Sequence, residues 1–187
     1  RGKPAVVWSS TMEEMGSDGL SSAEHKCLLG VQGFGGFLLK PWLEEELEPP
    51  LSGGTGSLSH TESVPDFMPD RFEPGTMNLP GILGLREGLL WLERTGTDNI
   101  LRHELALTGQ FLSGLRPMQE DGKLNIAGLP GIRDRTGVVS IQTVERELAQ
   151  VAYELDSRYG IMTRVGLHCA PSAHKSLGTL STGPIHF

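Results

Sequence analysis

From Gly75 onward the apolar positions of the chain recur with helical spacing. Asn78 precedes Ile82, Leu85, Leu89 and Leu92, one face of a 3.6-residue repeat that ends near Gly96. Thr97 or Asp98 can cap a second such repeat, Leu101, Leu105, Leu112 and Leu115, with Pro117 expected to stop it. Gly137 to Gln142 alternates as a half-buried strand does. Thr143 then caps a third expected helix through Val144, Leu148, Val151 and Leu155, closed by Gly160. Ile161 to Val165 is a short β-prone run ending at Gly166. Helices with one apolar face, interleaved with strands, predict an α/β or α+β layer with the reactive loop at a strand end.

Before Gly75 the pattern is weaker. Ala5 to Trp8 is a short strand candidate, and Ser9 to Ala23 is polar. Glu24-His25-Lys26-Cys27-Leu28-Leu29-Gly30 leads through Gly33-Phe34-Gly35-Gly36 into a strand-like Phe37 to Leu39. Trp42 to Glu48 is short and acidic. Gly53-Gly54-Thr55-Gly56-Ser57 then lies in a long loop that reaches Pro74.

Composition narrows the function classes. With 25 Gly in 187 residues, glycine is at about twice its usual share, a sign of tight turns and close backbone approaches. A net charge of -7 offers no basic stripe for phosphates, so no nucleic-acid partner is expected. No apolar run approaches the ~20 residues of a membrane helix, and no signal peptide is visible, so no membrane partner is expected. Two cysteines, Cys27 and Cys169, suit a reducing, cytoplasmic setting. The chain opens at Arg1 and runs at once into an apolar stretch, which reads like a piece of something longer.

Candidate chemistry gathers in Gly160 to Lys175. There His168-Cys169 follows Arg164 and Gly166, and Pro171-Ser172 can start and cap a short helix carrying His174. A thiol beside an imidazole, an arginine and a helix start is a setting that favours thiolate. A buried, inert cysteine is the alternative. Lys26, in a turn between glycines, can act as a Schiff-base amine, or it is an ordinary surface lysine. The glycines and hydroxyls of Gly53 to Ser57 can present donors to a phosphate, although the loop lacks the Gly-Lys-Ser/Thr ending of a P-loop. His25, Cys27, His168 and Cys169 are metal-ligand types, but their spacing matches no zinc signature and no metal site is expected.

Several of these stretches together resemble the class V aminotransferase group of pyridoxal-phosphate enzymes (fold type I), in particular the cysteine desulfurases. They are Ser22 to Gly36, Gly53 to Ser57, Phe72-Glu73-Pro74-Gly75-Thr76-Met77-Asn78, Gly81-Ile82-Leu83-Gly84-Leu85, Arg164 to Pro171, His174, and Gly178-Thr179. Order and spacing agree over about residues 20 to 183. The resemblance covers only the C-terminal half of the family pattern. It implies the C-terminal part of an aspartate-aminotransferase-like fold, with an incomplete large cofactor domain over residues 1–74 and an α/β small domain over residues 75–187.

The resemblance also implies roles. Lys26 matches the lysine that holds pyridoxal 5'-phosphate covalently and later shuttles protons, and His25 its usual neighbour. Gly54 and Thr55 match the loop that reaches the cofactor phosphate of a partner subunit, which implies a homodimer. Cys169 is similar to the nucleophile that takes sulfur from L-cysteine as a persulfide and leaves alanine, with Arg164 and His168 lining the substrate site. A small amino-acid substrate and a sulfur-acceptor protein follow from the same likeness. The pattern departs in places. Val7-Trp8-Ser9-Ser10-Thr11 stands where the family has an Asp that pairs with the cofactor ring. Glu24 and Cys27 flank His25-Lys26, where small residues are usual. Gly183-Pro184-Ile185-His186 replaces the Gly-Thr-Val-Arg whose arginine takes the substrate carboxylate. Two readings result: a cysteine desulfurase-like enzyme, or a catalytically incompetent fragment or remnant acting as a binding or structural module.

Overall fold

The computed structural model describes residues 11–187, Thr55 and Ser59 excepted, and divides between Asp98 and Asn99 into two units. The expected strand at Ala5 to Trp8, and Thr55, lie outside the described residues.

In the first unit, β1 (Gly19–Ala23) and β2 (Gly35–Leu39) pair antiparallel, Gly19 opposite Leu39 and Ala23 opposite Gly35. The hydrophobic pattern does not reveal β1, because Gly-Leu-Ser-Ser-Ala has a single large apolar side chain; pairing with β2 makes it a strand. The connection between the two carries Glu24 to Phe34. Next come α1 (Pro41–Glu46), begun by proline, and α2 (Leu79–Thr95). Asn78 caps α2 as expected, accepting from the Gly81 amide at 3.1 Å, and Gly96 follows its end.

The face that α2 buries differs from the expected one. Its buried residues are Gly81, Gly88 and Leu92, while Leu89 is exposed and Ile82 and Leu85 are half-open. The reason is steric. A Cβ on Gly88 would stand 2.6 Å from the Leu28 carbonyl oxygen, one on Gly84 3.2 Å from Val31, and one on Gly81 3.0 Å from the Phe34 Cβ. The i, i+3, i+7 stripe of glycines is a flat track on which residues 28–34 lie. Within this packing α2 lies in the first unit, which ends at Asp98.

The second unit orders its strands β3-β4-β6-β5, all antiparallel: β3 (Leu124–Ala127), β4 (Ser140–Thr143), β5 (Arg164–Val165) and β6 (Ile185–His186). The helices are α3 (Thr97–Glu120), α4 (Leu148–Tyr159) and α5 (Pro171–Leu177). Pro117 does not stop α3; it sits inside the last turn, where its missing N–H removes one bond of a helix already anchored by buried Leu112 and Leu115. The helix ends instead before Gly122, whose φ is 71°. The third helix starts later than its apolar pattern predicts. Thr143 is in β4 and the Val144 amide bonds the Lys123 carbonyl at 3.1 Å, so the strand edge takes these residues and Glu147 caps α4. Gly160 closes α4 in the left-handed conformation, as expected.

Leu112, Leu115, Leu124, Val139, Ile141 and Ile185 form the core of this unit, flanked by Phe111, Ile126, Leu148, Val151 and Phe187. Ile185 is 0% exposed, a burial that contributes about 1.5–3 kcal/mol for a side chain of its size. The loop between β3 and β4 is held by Arg135, whose guanidinium donates to the carbonyls of Leu129, Gly131 and Val138. Among the described residues no helix is long and apolar enough to cross a membrane.

Candidate functional site

Lys26 stands in a turn locked by backbone bonds. Its amide bonds the Ala23 carbonyl at 3.3 Å, its carbonyl takes the Leu29 amide at 3.1 Å, and the Gly30 amide bonds Glu24 at 2.8 Å. The glycine track of α2 supports this turn from beneath through Leu28. His25 and Lys26 are exposed and have no side-chain partner among the described residues; Cys27 is half-buried. Glu24, by contrast, is only 4% exposed. The Ser22 hydroxyl donates to its Oε1 at 2.8 Å, and its buried Oε2 has no partner among the described residues. Gly36 makes room for it, since a Cβ there would lie 3.0 Å from Oε1.

Gly54, in the same unit, accepts the Gly75 amide at 2.8 Å. It borders a cavity of about 680 Å³ whose wall includes Ser52, Gly53, Gly56, Thr61 and Ser63 as well as Glu62. Backbone amides and hydroxyls of this kind suit an anion better than an apolar group.

In the second unit Cys169 is exposed and free. Where β5 meets β6, a Cβ on Gly183 would stand 2.9 Å from the Gly166 Cα, so the two backbones touch directly. The Gly166 amide bonds the Pro184 carbonyl at 3.1 Å. His168 and Cys169 then take φ values of 49° and 58°, a left-handed pair that L-residues adopt at a cost of about 1–2 kcal/mol each. The helix after them begins at Pro171 as expected, but Ser172 lies inside it, and Ala170 precedes it without a side-chain cap.

Three imidazoles meet here. The His186 ring lies 4.2 Å from that of His168 and 5.9 Å from that of His174. His186 Nδ1 is 2.8 Å from the Ser140 hydroxyl, and its Nε2 3.2 Å from the Gly166 carbonyl. His174, 4% exposed, pairs its Nδ1 with the Thr179 hydroxyl at 2.8 Å, and the buried His168 Nε2 has no partner among the described residues. Arg164, exposed on β5, stands opposite His186 in register. Burial pushes the His186 imidazole below its usual range. The Gly166 carbonyl opposes this, and His168, His174 and Arg164 add to it.

Of the residues singled out in the sequence, Lys26, His25 and Gly54 thus belong to the first unit, and Arg164, His168 and Cys169 to the second. Ser140 had no signal of its own. Its role depends on the β4–β6 register, in which it faces His186. No group of three or more His, Cys, Asp or Glu among the described residues could hold a metal ion.

The chain as a whole is similar to known proteins. The family model "Aminotransferase class-V" matches residues 8–183. A probable cysteine desulfurase of Aeropyrum pernix is 35% identical over 167 residues, which is 86% of this chain and 40% of that protein. One of Methanothermobacter thermautotrophicus is 31% identical over 171 residues, 90% of this chain and 42% of that protein. Among solved structures, the apo cysteine desulfurase of Thermococcus onnurineus superposes with a TM-score of 0.83 at 29% identity, over 97% of this chain and 44% of its own. A cysteine desulfurase of Escherichia coli shares the fold, with a TM-score of 0.75 at 22% identity over 98% of this chain and 44% of its own. The chain therefore spans less than half the length of the relatives it matches, over their C-terminal half. With its mixed α/β architecture and a family match that runs through both units, the chain belongs to the class-V aminotransferases.

Proposed function

We propose that this chain supplies the lysine and the thiol of a pyridoxal-phosphate-dependent cysteine desulfurase, working as a homodimer in a reducing, cytoplasmic setting. The observation that carries the reading is Cys169: an exposed, free thiol on a loop held in an uncommon backbone conformation, in a chain similar throughout to cysteine desulfurases. In domain terms, the first unit would be part of the large cofactor-binding domain and the second the small domain.

The residues present fit the cofactor. Lys26 offers an exposed amine on a rigid turn, and the cavity beside Gly54 offers amides and hydroxyls for a phosphate. Pyridoxal phosphate, when bound, supplies an electron sink. Lys26 Nζ holds it and carries a proton to and from the substrate carbon. Cys169 Sγ, as thiolate, attacks the sulfur of L-cysteine. The C–S bond breaks, the carbon side keeps the electron pair and takes up a proton, and the products are alanine and a persulfide on Cys169. A sulfur-acceptor protein would then collect the outer sulfur from an exposed loop. Arg164, exposed on β5, is the group to receive the substrate carboxylate.

The remnant reading is favoured by one observation. His186, standing where the family pattern has an arginine, has both ring nitrogens engaged inside the protein and presents no fork to a carboxylate. One experiment separates the two. With added pyridoxal phosphate and borohydride, the chain should retain the cofactor on Lys26, and Lys26→Ala should lose it while Lys40→Ala and Lys175→Ala keep it. Mass spectrometry after L-cysteine should find a persulfide on Cys169. A chain that traps no cofactor and gains no sulfur is a remnant.

A further inference from the structure

The three-histidine cluster has a polarity that its hydrogen bonds define. The Gly166 carbonyl can only accept, so the proton of a neutral His186 must sit on Nε2. Nδ1 is then an acceptor, and the Ser140 hydroxyl donates to it at 2.8 Å. His186 thereby ties β4 to the first residue of the Cys169 loop. On its other side its ring rests against His168, 4.2 Å between centroids, in the strained pair that ends with Cys169. Strain of this kind persists only where the surroundings enforce it.

We propose that His186 is a positioning residue: in its neutral form it latches the Gly166–Cys169 loop to β4 and β6, and protonation releases the latch. The groups facing it are Ser140 from β4, Arg164 from β5, Gly166 and His168 from the loop, and His174 from α5. Its strand neighbours are Ile185, which is apolar, and Phe187, which exchanges backbone bonds with Val139. The Gly166 carbonyl on its own would welcome a cation. Burial outweighs it, and Arg164 and the two other imidazoles act against a second charge. A protonated ring therefore gains by turning toward water, which withdraws it from both Gly166 and His168.

The latch matters for sulfur transfer only if Cys169 is the working thiol, so its consequence rests on the function proposed above. The test does not. In the 187-residue chain, two-bond proton–nitrogen NMR of labelled histidine should find His186 as the neutral Nε2–H tautomer near neutral pH, titrating below 6.5. Amide exchange at Gly166 and Ala170, whose amides bond Pro184 and Leu167, reads the loop. In His186→Ala their protection should fall about tenfold, the loss of roughly one hydrogen bond. His186→Gln, whose amide can replace the Nε2 donor without titrating, should keep it. Wild-type protection should fall only as the pH drops below about 6.5, and the Gln variant's should not. An Nδ1–H tautomer, a midpoint at or above 6.5, or a Gln variant that follows the wild-type pH course would overturn the proposal. If the variants do not fold, the wild-type tautomer and titration decide it. An intact latch on a chain that gains no sulfur would count against the desulfurase and leave the latch standing.

Discussion

The two units are held together in different ways. The second surrounds Leu124, Val139 and Ile185, all nearly inaccessible, with a ring of further apolar side chains. In the first, Leu92 is the single buried large hydrophobic among the described residues. What orders the first unit is backbone proximity: a glycine track on α2, an Asn78 side chain that caps the helix and donates to the Gly33 carbonyl at 3.0 Å, and a locked turn around Lys26. Its apolar surface stays open, with Leu79, Leu83, Leu89 and Trp91 exposed along the same helix. The difference bears on the chemistry. The Cys169 loop leans on a packed core, and the Lys26 turn leans on the absence of side chains beneath it.

The contrast predicts a graded set of stability effects. Ile185→Ala should destabilise the second unit by about 2–5 kcal/mol in urea denaturation, whereas Leu89→Ala on the open face of α2 should stay within about 0.5 kcal/mol. Equal losses would erase the distinction. Gly88→Ala should come next, at about 1–3 kcal/mol, because the new Cβ meets the Leu28 carbonyl and pushes the turn that carries Lys26. The control is Gly114→Ala in α3. Nothing lies within 4 Å of a Cβ there, so that change should stabilise the chain by about 0.5–1 kcal/mol. Faster amide exchange across residues 26–30 in Gly88→Ala alone would tie the clash to the turn.

The two thiols sample the two regions directly. Cys169 is exposed on its loop and Cys27 is half-buried beside Lys26. Brief iodoacetamide treatment near neutral pH, followed by mass spectrometry, should modify Cys169 about tenfold faster than Cys27. Preferential labelling of Cys27 would reverse the reading of which unit presents its reactive group.

What the sequence makes legible follows the same division. Asn78, Gly96 and Gly160 announce helix ends because capping chemistry is local, and each stands at the end it marks. Lys26 and Cys169 stand out in the sequence as candidates because each sits in a short run of informative neighbours. The buried face of α2 is not legible from hydrophobicity, since glycines that accept a neighbouring backbone carry no apolar signal. Pro117 misleads for a related reason: tertiary anchoring at Leu112 and Leu115 outweighs a single lost bond. The cluster around His186 joins residues 140, 166, 168, 174 and 186, drawn from β4, the loop after β5, α5 and β6, which meet only in the folded unit. Two-residue strands such as β5 and β6 leave too little pattern to read.

The smallest expected effect is on pH. His186 is held below the ordinary histidine value of 6.5, chiefly by burial, so the unfolded chain binds its proton first as pH falls. Between that value and the lower one in the folded state, the unfolded form holds more protons and stability declines with acidification. The contribution of this group is fully present above about 6.5 and is lost as pH falls through the folded value. One proton limits the slope to about 1.4 kcal/mol per pH unit, well under the cost of opening the core. Urea midpoints of the wild type should therefore fall gently on acidification. His186→Gln should remove that part of the decline, while Lys26→Ala in the other unit leaves it unchanged. A decline that survives His186→Gln in full would place the sensitive group elsewhere, and the packed unit would lose its pH-dependent contact with the Cys169 loop.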